Sequence, residues 1–182
     1  MQQRSSTLEL ALAAKPEIQP AKCGARQHTA SVITYQDFSA STEAVWEALM
    51  FYEEIEESLP LVLRALLPKP IGSEGCKWEV GSEIKCRYVN GHLLKRVTHV
   101  IRGRSYSFDV VEQSLALRGG IKVLGGNYTL SDLSGDRTRV ALTTRYQSPN
   151  RPRWLYGRLE AVICHSFHRH ILAAIETNVR PR

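Results

Sequence analysis

The chain has 182 residues, 43% hydrophobic and 23% charged, which fits one domain with a buried core plus a tail and excludes a wholly disordered chain. Its net charge of +6 is unevenly spread: residues 43–57 carry six glutamates and no Lys or Arg, whereas residues 151–182 carry six arginines against Glu160 and Glu176. No basic stripe interleaved with aromatics is present, so no specific nucleic-acid partner is expected, and no apolar run reaches the roughly 20 residues that a membrane span needs.

Residues 1–26 contain Pro16, Pro20 and Gly24 and no sustained periodicity, and read as a flexible leader before a domain over 27–182. The stretch Thr7 to Ala14 has a faint signal-like apolarity, but Glu9 interrupts it. The first strand is expected from His28 to Phe38, rich in Val, Ile, Thr and Tyr. Ser41 and Thr42 followed by Glu43 and Glu47 signal a helix start, since hydroxyl oxygens and negative charge satisfy the exposed amides of a first turn. Val45, Leu49 and Tyr52 form its apolar stripe, with Trp46 beside it. A second short helix is expected from Leu59 to Leu67, starting near Pro60 and stopping before Pro68.

From Gly72 the pattern becomes that of strands. Cys76 to Val80 is expected to be a short one. Glu83 to Val89 alternates, with Ile84, Cys86 and Tyr88 on one face. Asn90-Gly91 signals a hairpin, because both residues tolerate positive φ, and Leu93 to Ile101 is the partner strand. Tyr106, Phe108 and Val110 line a third strand. Residues 114–120 read as a loop. Ile121 to Leu133 and Thr138 to Gln147 form a late hairpin, in which Gly125-Gly126 signals a bulge or sharp bend. The last segment, Trp154 to about Asn178, is a helix. Tyr156, Leu159, Ile163, Phe167, His170, Ile171 and Ala174 are placed on its buried face, and Arg158, His165, His168 and Arg169 mostly on the other side. The expected class is α+β: about seven antiparallel strands curling around one long C-terminal helix.

Three stretches carry a family resemblance: Phe38 to Trp46, with its Val-Trp pair entering a helix; Val80-Gly81-Ser82 followed by the Asn90-Gly91 hairpin; and Val123 to Leu130 followed by Thr138 to Leu142. Together with the element order, they resemble the START/SRPBCC superfamily, which includes Bet v 1-like proteins and polyketide cyclases, over about residues 28–179. The loop at 114–120 and the stretch Cys164 to His170 match no family pattern. The resemblance implies a helix-grip fold with an apolar ligand cavity between sheet and helix. It leaves open whether the protein carries its ligand or transforms it.

Candidate ligand-binding residues follow from the face assignments. Tyr88, Tyr106 and Phe108 are apolar or aromatic groups for the concave face, or simply core. Lys95 is either an anchor for a ligand carboxylate or phosphate, or a solvated lysine. Glu112, Asn127 and Arg145 are further polar anchors. On the helix, Ile163 and Phe167 are apolar lining, while Glu160 and His170 would orient a ligand or move protons. A histidine at that position is also compatible with a satisfied core residue. The inward face of the late strands is left undetermined.

Cys23, Cys76, Cys86 and Cys164 include no C-x-x-C pair and are too sparse for a disulfide framework, which argues against structural zinc and points to a reducing, cytoplasmic compartment. His165, His168 and His170 do not converge on one metal at helical spacing. Gly119-Gly120 and Gly125-Gly126 match no nucleotide-binding spacing, and no nucleophile elbow is present, so no cofactor is expected. Three functions are consistent with these readings. The first is a binder or carrier of a hydrophobic lipid, polyketide or isoprenoid, with at most peripheral membrane contact. The second is an aromatase/cyclase-like enzyme using Tyr88, Glu160 or His170. The third is an interaction module docking through the acidic first or basic last helix.

Overall fold

The computed structural model describes residues 28–50 and 70–179; the expected leader and second short helix lie outside them. The elements are β1 (His28–Phe38), α1 (Thr42–Met50), β2 (Pro70–Gly75), β3 (Glu83–Tyr88), β4 (Gly91–Ile101), β5 (Ser105–Gln113), β6 (Lys122–Leu133), β7 (Arg137–Ser148) and α2 (Arg153–Val179). The strands form one antiparallel sheet in the order β1-β7-β6-β5-β4-β3-β2. Consecutive hairpins build β2 to β7, and β1 crosses over to pair along its whole length with β7.

Alternation decides the faces. Val32, Thr34 and Phe38 on β1 point inward, as do Ile84 and Cys86 on β3, Leu93, Lys95 and Val97 on β4, and Val140, Leu142 and Tyr146 on β7. Register shifts at Leu94/Lys95 and Val97/His99 in β4, and at Val123/Gly125 in β6, add local twist and help the sheet curl. The expected bend at Gly125-Gly126 is this last bulge. Gly125 has φ 153°, and a Cβ there would lie 2.3 Å from the Phe108 carbonyl oxygen.

The Asn90-Gly91 signal marks a real hairpin, with one correction. Tyr88 pairs with Gly91, so the turn residues are Val89 and Asn90. Gly91 opens β4 with φ 139°, where a Cβ would press to 3.0 Å on the backbone of Leu115. The expected strand over Cys76 to Val80 is instead the β2–β3 turn. The Ser82 hydroxyl lies there within bonding distance of the carbonyls of Cys76 (2.7 Å) and Glu79 (2.6 Å), while residues 70–75 supply the edge strand.

Helix α1 begins as its residues dictate: Ser41 Oγ accepts from the Ala44 amide at 3.4 Å. Val45, Trp46 and Leu49 are buried against the sheet and α2. On its outer side Arg102 donates to Glu43 (2.6 Å) and Glu47 (2.7 Å), tying the helix to the β4–β5 turn.

Candidate functional site

A cavity of about 210 Å³ lies between the concave sheet and α2, with a mostly apolar lining. One wall is α2, through Glu160, Ile163, Cys164, Phe167, His168 and Ile171. The opposite wall is built by Tyr88, Lys95, Phe108, Val110, Tyr128 and Tyr146, among others, from β3 to β7. Leu117, Arg118 and Ile121 of the β5–β6 loop form part of its rim.

The loop is there because β5 and β6 stop pairing at Asp109 and Gly125. Beyond that point Gln113 replaces the missing ladder. Its Nε2 donates to the carbonyls of Leu115 (2.9 Å) and Ile121 (3.0 Å), and its Oε1 accepts from the Val123 amide (2.9 Å). Splayed strands held by one side chain leave room beneath the helix.

Of the candidate residues, Tyr88, Lys95, Phe108, Glu160, Ile163 and Phe167 line the cavity. Lys95 is buried, with Nζ 4.8 Å above the centre of the Phe108 ring, so the reading of a solvated lysine does not hold. Tyr106 is core rather than lining, tilted against Phe108 and Tyr128 at ring separations of 6.3 and 6.4 Å. The other polar candidates are not brought there. Glu112 is exposed on the outer face, 3.0 Å from Nε2 of His92. Asn127 points the same way and donates to Thr129 at 3.3 Å. Arg145 is held on the convex face by Asp109 at 2.6 Å, its guanidinium passing over Gly125. For Asn127 and Arg145 this follows from period 2: with Tyr128 and Tyr146 inward, the odd-numbered neighbours face out. Glu112 shares the parity of Phe108 and Val110 and is turned outward by the register shift at Leu94/Lys95.

The buried stripe of α2 also differs from expectation. Glu160, His168, Ile171, Leu172, Ala174 and Ile175 are its buried residues, so the stripe is rotated by roughly a quarter-turn from the one that apolarity alone selected. Leu159 is exposed, His170 is half-buried outside the cavity, and His168 is fully buried. Polarity misdirects the assignment here. His168 faces hydroxyls rather than hydrocarbon, so its burial costs little.

Those hydroxyls come from both strands beneath the helix. Thr34 Oγ1 on β1 lies 2.9 Å from Nδ1 of His168 and 2.7 Å from Nδ1 of half-buried His165. Thr144 Oγ1 on β7 lies 2.8 Å from Nε2 of His168, and Cys164 Sγ lies 3.5 Å from the same atom. Burial, reinforced by His165, lowers the His168 pKa to about 4, while burial pushes the Cys164 thiol up to about 11 against a hydrogen bond with Thr144. At neutral pH the pair is therefore imidazole and thiol, without a thiolate nucleophile. Only the i, i+4 spacing of Glu160, Cys164 and His168 could have flagged this set from sequence.

Glu160 anchors the other end of the polar wall. Burial alone would raise its pKa. Hydrogen bonds from Ser148 (2.5 Å), Asn150 (3.0 Å) and Arg153 (2.9 Å), with the Arg153 charge, outweigh burial and leave it below the usual carboxylate range. Tyr146 is shifted the other way, raised by burial and then by the Glu160 charge. Glu160 is thus a fixed anion already saturated with donors, a poor proton donor. Among the described residues no group of three or more His, Cys, Asp or Glu is placed to hold a metal ion.

No family model matches this sequence, and no curated protein matches it. Solved structures do match in shape. A START superfamily protein from Mycobacterium smegmatis superposes with a TM-score of 0.58 at 12% identity, covering 82% of this chain and 96% of that one. Ara h 8.0201 gives 0.56 at 11% identity, covering 84% and 98%. The ZhuI aromatase/cyclase from a Streptomyces species gives 0.52 at 13% identity, covering 84% and 92%. The chain has the helix-grip fold that these structures share. At these identities the likeness is one of architecture, so the site of this START-like domain has to be read from its own residues.

Proposed function

We propose that this START-like domain binds a hydrophobic small molecule of polyketide, isoprenoid or lipid type between its sheet and α2. The observation that supports this most is the mostly apolar cavity of about 210 Å³ in the middle of the fold. Its size narrows the class. Pockets for drug-sized ligands run to roughly 300–1,000 Å³, so a cavity of about 210 Å³ suits a fused-ring compound or a short isoprenoid better than a two-chain lipid. Native mass spectrometry of the purified protein, followed by denaturing extraction, tests the reading. A stoichiometric apolar molecule is expected, and failure to take up any apolar probe would sink the idea.

The likeness to an aromatase/cyclase supports a second reading, turnover of the ligand. Two of the three proton-moving groups first expected do not favour it, because Glu160 is saturated and His170 lies outside the cavity, whereas Tyr88 lines it. An enzyme here would draw on groups that line the cavity, such as Tyr88, Tyr146, Cys164 or His168.

A further inference from the structure

The hydrogen bonds around Thr34 constrain one another. A threonine hydroxyl has one hydrogen, yet Thr34 Oγ1 lies within bonding distance of two Nδ1 atoms, on His165 and His168. It can donate to one of them only, so at least one ring carries its own Nδ1 hydrogen and donates to Thr34. Two arrangements send the Thr34 hydrogen to the other ring. In the first, Thr34 donates to His165 and accepts from Nδ1–H of His168, which leaves Nε2 of His168 a bare lone pair. In the second, Nδ1–H of His165 donates to Thr34, which donates to Nδ1 of His168, and the hydrogen of His168 sits on Nε2. Protonating His165 puts hydrogens on both its ring nitrogens and, of these two, leaves only the second.

Nε2 of His168 meets Thr144 and Cys164, and all three residues line the cavity. The chain of bonds therefore joins the half-buried His165 ring to the cavity wall. We propose that the Thr144–Cys164–His168 corner is the polar recognition site of the cavity, that it takes an apolar ligand bearing one uncharged oxygen, and that the charge on His165 sets that corner's hydrogen-bonding polarity. With His165 neutral in the first arrangement, the corner accepts and selects a hydroxyl. With His165 protonated, His168 becomes a donor and the corner favours a carbonyl. The proposal rests on the cavity reading above.

The surroundings suit such a switch. Burial keeps His168 itself uncharged over the range in which an ordinary histidine titrates. From β1 and β7 the groups facing the pair are Thr34 and Thr144, which do not titrate, and Tyr146, whose ionisation is pushed upward. On α2 itself, Cys164 is held as a thiol, Glu160 is bound by Ser148, Asn150 and Arg153, and Glu176 accepts from Gln36 at 3.0 Å. Of the α1 carboxylates, Glu43 and Glu47 are engaged by Arg102.

The test is equilibrium binding of 2-naphthol, 2-acetonaphthone and naphthalene to the full chain at about pH 8 and about pH 5.5. At the higher pH, 2-naphthol is expected to bind about tenfold tighter than naphthalene, the worth of one good hydrogen bond. At the lower pH the preference is expected to move toward 2-acetonaphthone, and Thr34→Val should make it independent of pH. Equal binding of all three overturns the recognition site and leaves the cavity reading standing. Binding of none overturns both. Nitrogen-15 spectra of the wild-type histidines need neither variant nor ligand: the His168 hydrogen should move from Nδ1 to Nε2 as His165 is protonated. A His168 tautomer that stays fixed through that titration overturns the switch.

Discussion

At the scale of single residues, the two buried polar groups of α2 act on stability in different ranges of pH. His168 has its pKa lowered to about 4 by burial, with His165 adding to the effect. In the unfolded chain an imidazole titrates near ~6.5. Between these values the unfolded chain binds a proton that the folded chain refuses. The His168 contribution is therefore complete above that window and is lost as the pH falls through it, by about 3 kcal/mol in all. His168→Gln should flatten the pH dependence of urea-unfolding stability across the window; an unchanged slope would assign the effect to another group. Glu160, held below its usual value, contributes stability above the ordinary carboxylate range and loses it as the pH drops through its folded value. Glu160→Gln should cost about 1–3 kcal/mol at neutral pH, because Arg153 loses its charged partner. Cysteine reactivity offers a further check. Cys76 is exposed, whereas Cys86 is buried and Cys164 is held as a thiol at the cavity wall. Iodoacetamide followed by peptide mass mapping should modify Cys76 in the folded protein well before Cys86 and Cys164.

At the scale of elements, β6 and α2 position the site. The bulge at Gly125 turns Tyr128 inward and lets β5 and β6 part, which makes room for the rim loop. A side chain at Gly125 would strike the Phe108 carbonyl. Gly125→Ala should lower stability by about 2 kcal/mol or more in urea unfolding, and a neutral effect would mean that the bulge relaxes without cost. Helix α2 shows what apolar periodicity can and cannot locate. Its extent is legible from the run without Pro between Pro152 and Pro181, and Ile163, Phe167 and Ile171 do face the sheet. Its rotation is not, because Trp154, Leu155, Leu159 and Val162 are apolar and exposed while Glu160 and His168 are polar and buried. Those two are paid for by Ser148 and Thr144 on β7, 12 and 24 residues away, and by Thr34 on β1, 134 residues away.

At the scale of the whole molecule, the shape of the sheet makes the cavity, and filling it separates binding from folding. Ile163 is only partly buried and lines the cavity. Ile163→Trp should weaken uptake of a naphthalene-sized probe by at least about tenfold while shifting stability by less than about 2 kcal/mol. Undiminished uptake would place the ligand elsewhere. The uneven charge is partly settled by the fold itself, since Arg102 meets both Glu43 and Glu47. That pairing leaves the described part of the acidic segment less available to a partner. Among the described residues no helix is long and apolar enough to cross a membrane.

Sequence alone determined the order of the described elements apart from β2, the β4–β7 hairpins, a bulge or bend at Gly125-Gly126, and the inward faces of β3, of β4 and of β5 as far as Val110. These depend on local chemistry: alternation, turn residues, and the freedom of glycine to take φ values closed to other residues. Only the tertiary structure decided which face of β6 and β7 turns inward, how α2 is rotated, and hence that Thr144, Cys164 and His168 meet in one wall while Glu112, Asn127, Arg145 and His170 do not. The physical reason is that a polar side chain is buried wherever the fold supplies its hydrogen-bond partners, and those partners lie on other strands, more than a hundred residues away in the case of Thr34 and His168.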